Sequence, residues 1–427
     1  MIKKREIWIT GFAIFALFFG AGNLILPPFL GMNSGGEWLF VFFGFILTAV
    51  FIPILGVFAH ANVQGNIYDL GKKASPTFSS MYCFVMYLIA ITIPAPRTAS
   101  VAHEMAIQPF FGSSSLLTSS IYFLLIFVFV MNRSRLLSLI GKFLTPIIVV
   151  ILVAIILFSI TSNPETMRLN VYEVPFVSGI LEGYQTFDAI GGVLIGAVIV
   201  ISLGNRGVKS YDDKKSLITK AGLIAGSGLI LVYGGLIFSG ATLSTLLPVS
   251  GTRTEVLKSL SSQTLGAIGT SFLSVLVALA CFTTAVGIVT GTSDYVKEMF
   301  KNSQKAYVIT AFISCVLGIL IGHFQVSFII KAAIPALMFI YPITIVLILL
   351  NVVPKRLTSS LVFKGVVITT LVFSIPDFLG SLNLGHLLDP ITQWIPFSTQ
   401  SLGWVFPAFI VFIFLNVYSQ RIKTSNS

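Results

Sequence analysis

Eleven residues inside the first hydrophobic stretch cannot continue a regular helix. The stretch from Ile7 to Gly31 is long enough to cross a bilayer, but residues 19–29 within it read FGAGNLILPPF. Unpaired backbone N–H and C=O groups are costly in hydrocarbon, so irregular backbone persists there only where it lines a protected cavity. The segment therefore predicts a broken membrane helix, a feature typical of transporter binding sites. A proline kink buffered by neighbouring helices is the alternative.

The composition is that of a polytopic membrane protein. The chain is 56% hydrophobic and 10% charged, and its mean hydropathy is +0.97. Scanning for apolar runs predicts an all-α fold of twelve transmembrane helices in a single domain, 1–427, with no room for a sizeable soluble domain. The predicted spans are roughly 7–31, 38–60, 78–99, 115–131, 137–160, 177–203, 219–243, 265–291, 306–322, 326–350, 359–379 and 396–418.

The distribution of basic residues predicts the orientation. A net charge of +11 would suit nucleic acid binding, but most of the 26 lysines and arginines lie in alternate connections between the spans. This is the positive-inside pattern for twelve spans with both termini cytoplasmic. We therefore expect a multi-pass protein of a bacterial cytoplasmic membrane. We expect it to contact membrane lipid, to bind no nucleic acid and to need no obligate protein partner.

A second broken helix is predicted in the sixth span. The sequence EGYQTFDAIGG, 182–192, places Asp188 near mid-span, and two glycines weaken the helix just beyond it. Spans one and six cross in opposite directions, because they are five apart. The first ten spans are therefore predicted to form two inverted repeats, about 7–160 and 177–350, whose breaks meet at the midplane. Two extra helices, about 359–418, follow them.

The chemistry of the breaks suits a zwitterion. Half-helix ends present unpaired N–H groups and a positive dipole end to a carboxylate, and unpaired carbonyls to an ammonium group or a cation. Asn23 is either a ligand at the unwound turn or a cap for the second half-helix. Asp188 faces the ammonium group, binds a cation, carries a proton or caps the sixth helix. The predicted substrate-binding residues are Phe19, Gly20, Ala21, Gly22, Asn23, Phe187, Asp188, Ile190 and Gly191.

Two adjacent hydroxyls in the eighth span form a candidate cation site. Thr283 and Thr284, with the carbonyl of Ala280 one turn earlier, offer three oxygen ligands. The alternative is that each hydroxyl bonds only to the carbonyl one turn back, which is common for threonine in membrane helices.

The chain resembles the branched-chain amino acid:cation symporter family nearly end to end. The resemblance is sharpest at FFGAGNLILPP (18–28), IPAPRTASVAHE (93–104), EGYQTFDAIGG (182–192) and CFTTAVGIVTG (281–291). It implies the leucine-transporter fold of the amino acid–polyamine–cation superfamily. It also implies uptake of leucine, isoleucine and valine, driven by a sodium or proton gradient. The sodium site of such symporters maps to Ala16, Phe19, Ala280, Thr283 and Thr284.

The remaining expectations concern alternatives and single residues. Another neutral amino acid or small solute is an alternative substrate. A channel would need a polar ring, and an enzyme would need a metal or nucleophile constellation; we find neither pattern, and we expect no cofactor beyond the coupling cation. Arg97 is expected near the outer end of the third span, snorkelling to the interface, with a gating role as the alternative. His103 is expected in or near an outward loop. Asp188 is expected to be the single acid deep in a span, in a pocket without a basic residue.

Overall fold

The structure is a computed structural model that describes residues 4–20, 23–132, 136–162, 166–205, 208 and 210–425. Two predicted site residues, Ala21 and Gly22, lie outside the described residues. Every regular element in the described part is helical. The helices are α1 (Lys4–Phe18), α2 (Leu26–Ser34), α3 (Trp38–Ile46), α4 (Ile52–Val63), α5 (Ile67–Gly71), α6 (Pro76–Thr92), α7 (Pro94–Ala102), α8 (Gln108–Phe111), α9 (Ser115–Asn132), α10 (Leu136–Thr161), α11 (Pro175–Tyr184), α12 (Asp188–Asn205), α13 (Tyr211–Thr242), α14 (Arg253–Met299), α15 (Gln304–Gly322), α16 (Val326–Val352), α17 (Ser360–Ser381), α18 (Asp389–Thr392) and α19 (Val405–Ser425).

The first hydrophobic stretch is broken where the sequence predicts it. α1 ends at Phe18, and the Gly20 amide donates to the Phe18 carbonyl at 2.7 Å instead of continuing the helical ladder. α2 then begins at Leu26, with its two prolines in the first turn, where N–H groups have no helical partner. It ends at Ser34 and is followed by Gly35, whose φ of +50° favours glycine. The chain turns there and continues into α3.

The sixth predicted span is also divided. α11 ends at Tyr184 and α12 begins at Asp188, so the break consists of residues 185–187. Among the described helices, nine are long and apolar enough to cross a membrane, or ten if α11 and α12 form one bent span. The chain is thus an all-helical, multi-pass membrane protein.

α14 begins at Arg253, and the predicted start of the eighth span near 265 coincides with the bend of this helix at Gly266, whose φ is +70°. The predicted start of the last span was wrong by several residues. α19 begins at Val405 rather than near 396. Phe397 and Ser401 have positive φ, which prevents a continuous helix before that point.

The broken helices of each half of the chain pack mainly on helices of the other half. α1 and α2 pack along α13, whereas α11 and α12 pack along α3 and α4. α7 crosses α14, and α9 packs on α15. α13 packs closely through its glycines: a Cβ on Gly228 would lie 2.9 Å from the Phe15 ring, and one on Gly240 would lie 2.2 Å from the Pro28 carbonyl oxygen. Asn23 and Phe187, one in each break, are both 5% exposed, so both breaks lie inside the bundle.

Candidate functional site

The two broken helices meet through a direct side-chain hydrogen bond. Asn23 Nδ2, in the first break, donates to Asp188 Oδ1, at the start of α12, over 2.8 Å. The second carboxylate oxygen of Asp188 accepts the hydroxyl of Tyr233, on α13, at 3.4 Å. Asp188 is only 5% exposed. The carboxylate therefore connects three elements at the centre of the bundle.

Arg97 lies at the same place. Its Nη1 donates to the Gln185 carbonyl, in the second break, at 2.6 Å, and its Nη2 donates to Asn23 Oδ1 at 3.3 Å. The guanidinium lies 5.3 Å from the centroid of the Phe187 ring. Arg97 is 3% exposed. The expectations that it snorkels to the interface, and that the pocket has no basic residue, were therefore wrong: Arg97 is on α7, which carries it between the breaks.

Asn23 separates two opposite charges. Its amide nitrogen faces the Asp188 carboxylate and its amide oxygen faces the Arg97 guanidinium, so each end meets the charge that it can bond. Buried charges are costly unless they are paired and hydrogen-bonded, and this arrangement supplies both. The cap interpretation of Asn23 was wrong, because α2 begins three residues later with Ile25 as its N-cap.

The second break is held in an unusual backbone conformation. Phe187 has a φ of +61°, which a phenylalanine adopts only under constraint from its surroundings. The Ala189 amide, just after the break, donates to the Tyr341 hydroxyl from α16 at 3.3 Å. The side-chain oxygen of Gln185, by contrast, is buried and has no hydrogen-bond partner among the described residues. The site thus contains an acceptor that a bound donor could satisfy.

The predicted apolar residues surround these polar groups. Phe19 is buried and stacks on Phe15 with 5.0 Å between the ring centroids. Phe187 and Ile190 are buried in one cluster with residues of α16. Gly191 faces the Phe18 ring, since a Cβ there would lie 3.8 Å from it. The structure brings together residues from both breaks.

The hydroxyls of the eighth predicted span point to one carbonyl. Thr283 and Thr284 donate to the Ala280 carbonyl at 2.9 and 3.0 Å, so the local bonding pattern is present. Thr284 also faces the first break: a Cβ on Gly20 would lie 3.9 Å from its hydroxyl oxygen. The Gly20 amide, which in a continuous helix would bond to the Ala16 carbonyl, bonds elsewhere. The Thr284 hydroxyl of α14 therefore lies beside the backbone that follows α1.

A set of contacts, which we call the α14 clamp, covers one end of the site. Arg253 Nε and Nη2 donate to the two carboxylate oxygens of Glu182, on α11, at 2.7 and 2.9 Å. The same guanidinium lies 4.4 Å from the centroid of the Phe29 ring of α2. Thr254 donates to Glu104 at 2.5 Å, and the other oxygen of Glu104 accepts the first amide of α16. The start of α14 is thus tied to both half-helices α2 and α11.

Two further polar residues are buried. His103 lies in the π-helical segment after α7, with its Nδ1 2.9 Å from the Thr118 hydroxyl. Asp377, on α17 near the end of a predicted span, is a second buried acid, and its Oδ2 has no hydrogen-bond partner among the described residues.

The sequence reasoning missed three residues of the site: Arg97, Tyr233 and Tyr341. A signal existed for Arg97, because an arginine between Pro96 and Thr98 in an apolar run is unusual unless the charge is paired inside the protein. The two tyrosines carry no such signal, since most tyrosines in membrane helices only pack.

The family model for branched-chain amino acid transport proteins matches residues 3–422. The chain is 32% identical over 420 residues to the branched-chain amino acid transport system 2 carrier protein of Pseudomonas aeruginosa, covering 96% of this chain and 95% of that protein. It is also 32% identical over 421 residues to the branched-chain amino acid permease BraB of Bacillus subtilis, covering 96% and 94%.

Solved structures supply the fold. The inward-facing conformation of Mhp1, a nucleobase-cation-symport-1 family transporter, is 14% identical with a TM-score of 0.61, covering 97% of this chain and 91% of that chain. MhsT in complex with L-phenylalanine is 17% identical with a TM-score of 0.51, covering 97% and 98%. The chain therefore has the leucine-transporter fold.

Proposed function

The chain belongs to the family of branched-chain amino acid transport proteins, and from this premise we propose that it is a secondary symporter for leucine, isoleucine and valine. It imports them across a bacterial cytoplasmic membrane, driven by a sodium or proton gradient. The substrate binds near the midplane, at the breaks after α1 and α11, and reaches either side by alternating access. The observation that carries this proposal is the pair of buried opposite charges, Arg97 and Asp188, between the breaks.

The proposed topology has twelve spans, with both termini cytoplasmic. In this topology α1 and α2 together form one broken span, α11 and α12 together form another, and α19 is the twelfth span. The first ten spans form two inverted repeats, about 7–160 and 177–350. The packing between the two halves supports this arrangement. If span six is the repeat of span one, and span seven the repeat of span two, the contact of span one with span seven is equivalent to the contact of span six with span two. Both contacts are present.

The two charged ends of the substrate bind to the two buried charged residues, Asp188 and Arg97. The ammonium group lies against Asp188 and the unpartnered oxygen of Gln185. The carboxylate lies against Arg97. The two prolines in the first turn of α2 leave this half-helix fewer N–H donors than a broken helix usually offers, so a guanidinium is the stronger partner. Binding then replaces the Asn23 link between the charges by the substrate itself.

The side chain of the substrate occupies an apolar pocket formed by Phe19, Phe187 and Ile190. A charged side chain would be left unpaired there, which is strongly unfavourable. Side chains that differ by one methylene are separated by only about 1–3 kcal/mol. Leucine, isoleucine and valine should thus compete for one site, while lysine and glutamate are excluded.

Sodium, if it is the coupling ion, binds between the end of α1 and α14. Its ligands are the carbonyls of Ala16, Phe19 and Ala280 with the hydroxyls of Thr283 and Thr284. The proximity of Thr284 to Gly20 supports this placement, and hard cations prefer such oxygen ligands. Proton coupling would instead use the Asp188 carboxyl.

The α14 clamp acts as the closure on the external side. In the proposed orientation, Arg253 and Glu182 lie between the membrane centre and the external surface, and the Arg253 guanidinium contacts the Phe29 ring. Because the bond between Arg253 and Glu182 joins the start of α14 to α11, opening of the site toward the exterior must break it. This is the element that we expect to alternate with an opening on the cytoplasmic side.

Uptake of labelled leucine into proteoliposomes tests the proposal. Sodium and proton gradients are imposed separately, and excess isoleucine, valine, lysine or glutamate is added on the outside. We expect uptake above the equilibrium level with one of the two gradients, and competition by isoleucine and valine alone. Inhibition by lysine without inhibition by isoleucine, or uptake that follows no gradient, would overturn it.

A further inference from the structure

A large pocket is lined by none of the residues that we assign to the transport site. It has a volume of about 720 Å³. It lies among the end of α4, α5, the start of α13, the end of α16 and the turn before α17. In the proposed orientation all of these segments face the cytoplasm. We call it the lysine pocket, after the four lysines that line it: Lys72, Lys73, Lys215 and Lys355.

Positive charge in the lysine pocket exceeds negative charge. Of the described residues that line it, only Asp69 is acidic, and its carboxylate is already bonded to Lys72 at 2.8 Å. Asp69 also closes the capping box at the start of α5. Burial, and next the nearby ammonium of Lys355, lower the pKa of the Lys73 amine. An anion placed between Lys73 and Lys355 would therefore relieve an unfavourable charge arrangement.

Two buried polar atoms of the lining have no hydrogen-bond partner in the part of the chain that the structure describes. Asn351 Oδ1 and Thr358 Oγ1 are unpartnered, and both residues are more than nine-tenths buried. The orientation of the Asn351 amide is fixed by its nitrogen, which donates to the carbonyls of Leu70 and Leu347 at 3.0 and 2.8 Å. Its oxygen thus accepts from something else. Because buried polar groups are normally satisfied, the pair indicates a ligand with both donor and acceptor groups.

The rim of the pocket is apolar and reaches the lipid. Val352, Val353 and Pro354 line the pocket. Leu349 and Leu361, at the adjacent ends of α16 and α17, are 39% and 47% exposed. Exposed leucines at the ends of predicted spans face hydrocarbon, so an acyl chain on this surface would lie next to the helix ends that border the pocket.

We propose that the lysine pocket binds the phosphodiester headgroup of an anionic phospholipid of the phosphatidylglycerol type. The phosphate lies between Lys73 and Lys355 and accepts the Thr358 hydroxyl. A glycerol hydroxyl donates to Asn351 Oδ1, and the acyl chains follow the apolar rim. Basic pockets between helices on the cytoplasmic side suit such headgroups. The inference needs a membrane location and the proposed orientation, but not the substrate or the coupling ion of the proposed function.

Lipid binding to the purified full chain tests this proposal without measuring transport. The detergent-solubilised protein is titrated with phosphatidylglycerol or with phosphatidylcholine, and bound lipid is counted by native mass spectrometry. We expect saturable binding of phosphatidylglycerol. In the double variant Lys73→Gln/Lys355→Gln binding should weaken about thirtyfold, from a roughly fivefold effect per lysine near an anionic headgroup.

The matched control is Lys297→Gln/Lys301→Gln. It removes the same charge from the same proposed face, at residues that do not line the pocket. Equal losses in both double variants would show general surface attraction and overturn the proposal. Displacement of the lipid by millimolar inorganic phosphate would also overturn it, since the site would then bind a small free anion. Lys355→Gln alone, an exposed change in a short turn, keeps the test valid if the double variant does not fold.

Discussion

One amide, that of Asn23, stands between the two buried charges at the centre of the bundle. Through its two hydrogen bonds, both charged groups are stabilised in the protein interior when no substrate is bound. The carboxylate of Asp188 and the guanidinium of Arg97 are each hydrogen-bonded, and the sum of their charges is zero. Removal of one charge would leave the other uncompensated in a low dielectric.

Arg97→Gln and Asp188→Asn should therefore each lower stability more than the double variant does. A lone buried charge costs about 3–5 kcal/mol, so each single variant should melt well below the native protein, and the double variant should lie between. Thermal unfolding in detergent measures this. None of the three should take up leucine in proteoliposomes, because the zwitterion loses a partner in each. Substantial leucine uptake by Arg97→Gln would remove Arg97 from the proposed binding site.

Thr283→Ala with Thr284→Ala should reduce sodium dependence more than substrate affinity. The two hydroxyls are bonded only locally to the Ala280 carbonyl, so their loss leaves the fold intact while two proposed ligands disappear. The sodium concentration for half-maximal uptake should rise roughly tenfold or more, about 1.4 kcal/mol. Ser271→Ala, which removes an exposed hydroxyl from the same helix, is the control. An unchanged sodium dependence would exclude this cation site.

At the scale of helices, close backbone contact sets the arrangement of α2 and α13. A Cβ on Gly31 would lie 1.9 Å from the Ile237 carbonyl oxygen, and one on Gly240 would lie 2.2 Å from that of Pro28. No side chain fits between backbones at such distances, so the outer half of the first broken span is held at one separation from α13. Glycine-rich helix faces in membranes serve this purpose.

Gly31→Ala should therefore destabilise the protein although it raises helix propensity. Overpacking against a backbone carbonyl costs typically ~1–3 kcal/mol, more than the ~1 kcal/mol that alanine gains over glycine in a helix. In the matched change Gly287→Ala, the added Cβ has no described neighbour within 4 Å outside its own stretch of helix, so the melting temperature should stay unchanged or rise. Equal melting temperatures for the two variants would show that the α2–α13 contact is looser than described.

Helix existence and the two breaks were predictable, because apolar length and clustered glycine, proline and asparagine are local signals. Asp188 was found for the same reason, as a charge inside a hydrophobic run. Arg97 was misplaced because its depth depends on how α7 packs between the breaks, which is a tertiary property. The contacts of Tyr233 and Tyr341 also join residues that are distant in sequence. A local sequence pattern does not distinguish these tyrosines from others that only pack in the bundle.

At the scale of the whole molecule, the proposed orientation can be tested by labelling. Val249→Cys, 80% exposed in the native structure, should react with an impermeant maleimide added to intact cells. Lys301→Cys should react only after permeabilisation, since it follows α14 on the opposite side. Both changes are made in a chain whose three buried cysteines are replaced by alanine. Labelling of Lys301→Cys in intact cells would reverse the orientation.

The exchanged packing of the two halves has a consequence for how the chain is made. α1 and α2 find their main partner in α13, roughly 200 residues later, which corresponds to about 10–40 s of synthesis at 5–20 residues per second. Until then the ribosome has delivered a broken, glycine-containing segment to the bilayer without the surface that protects it. Neither half of the chain is a complete folding unit, so membrane insertion of the first helices precedes their final packing.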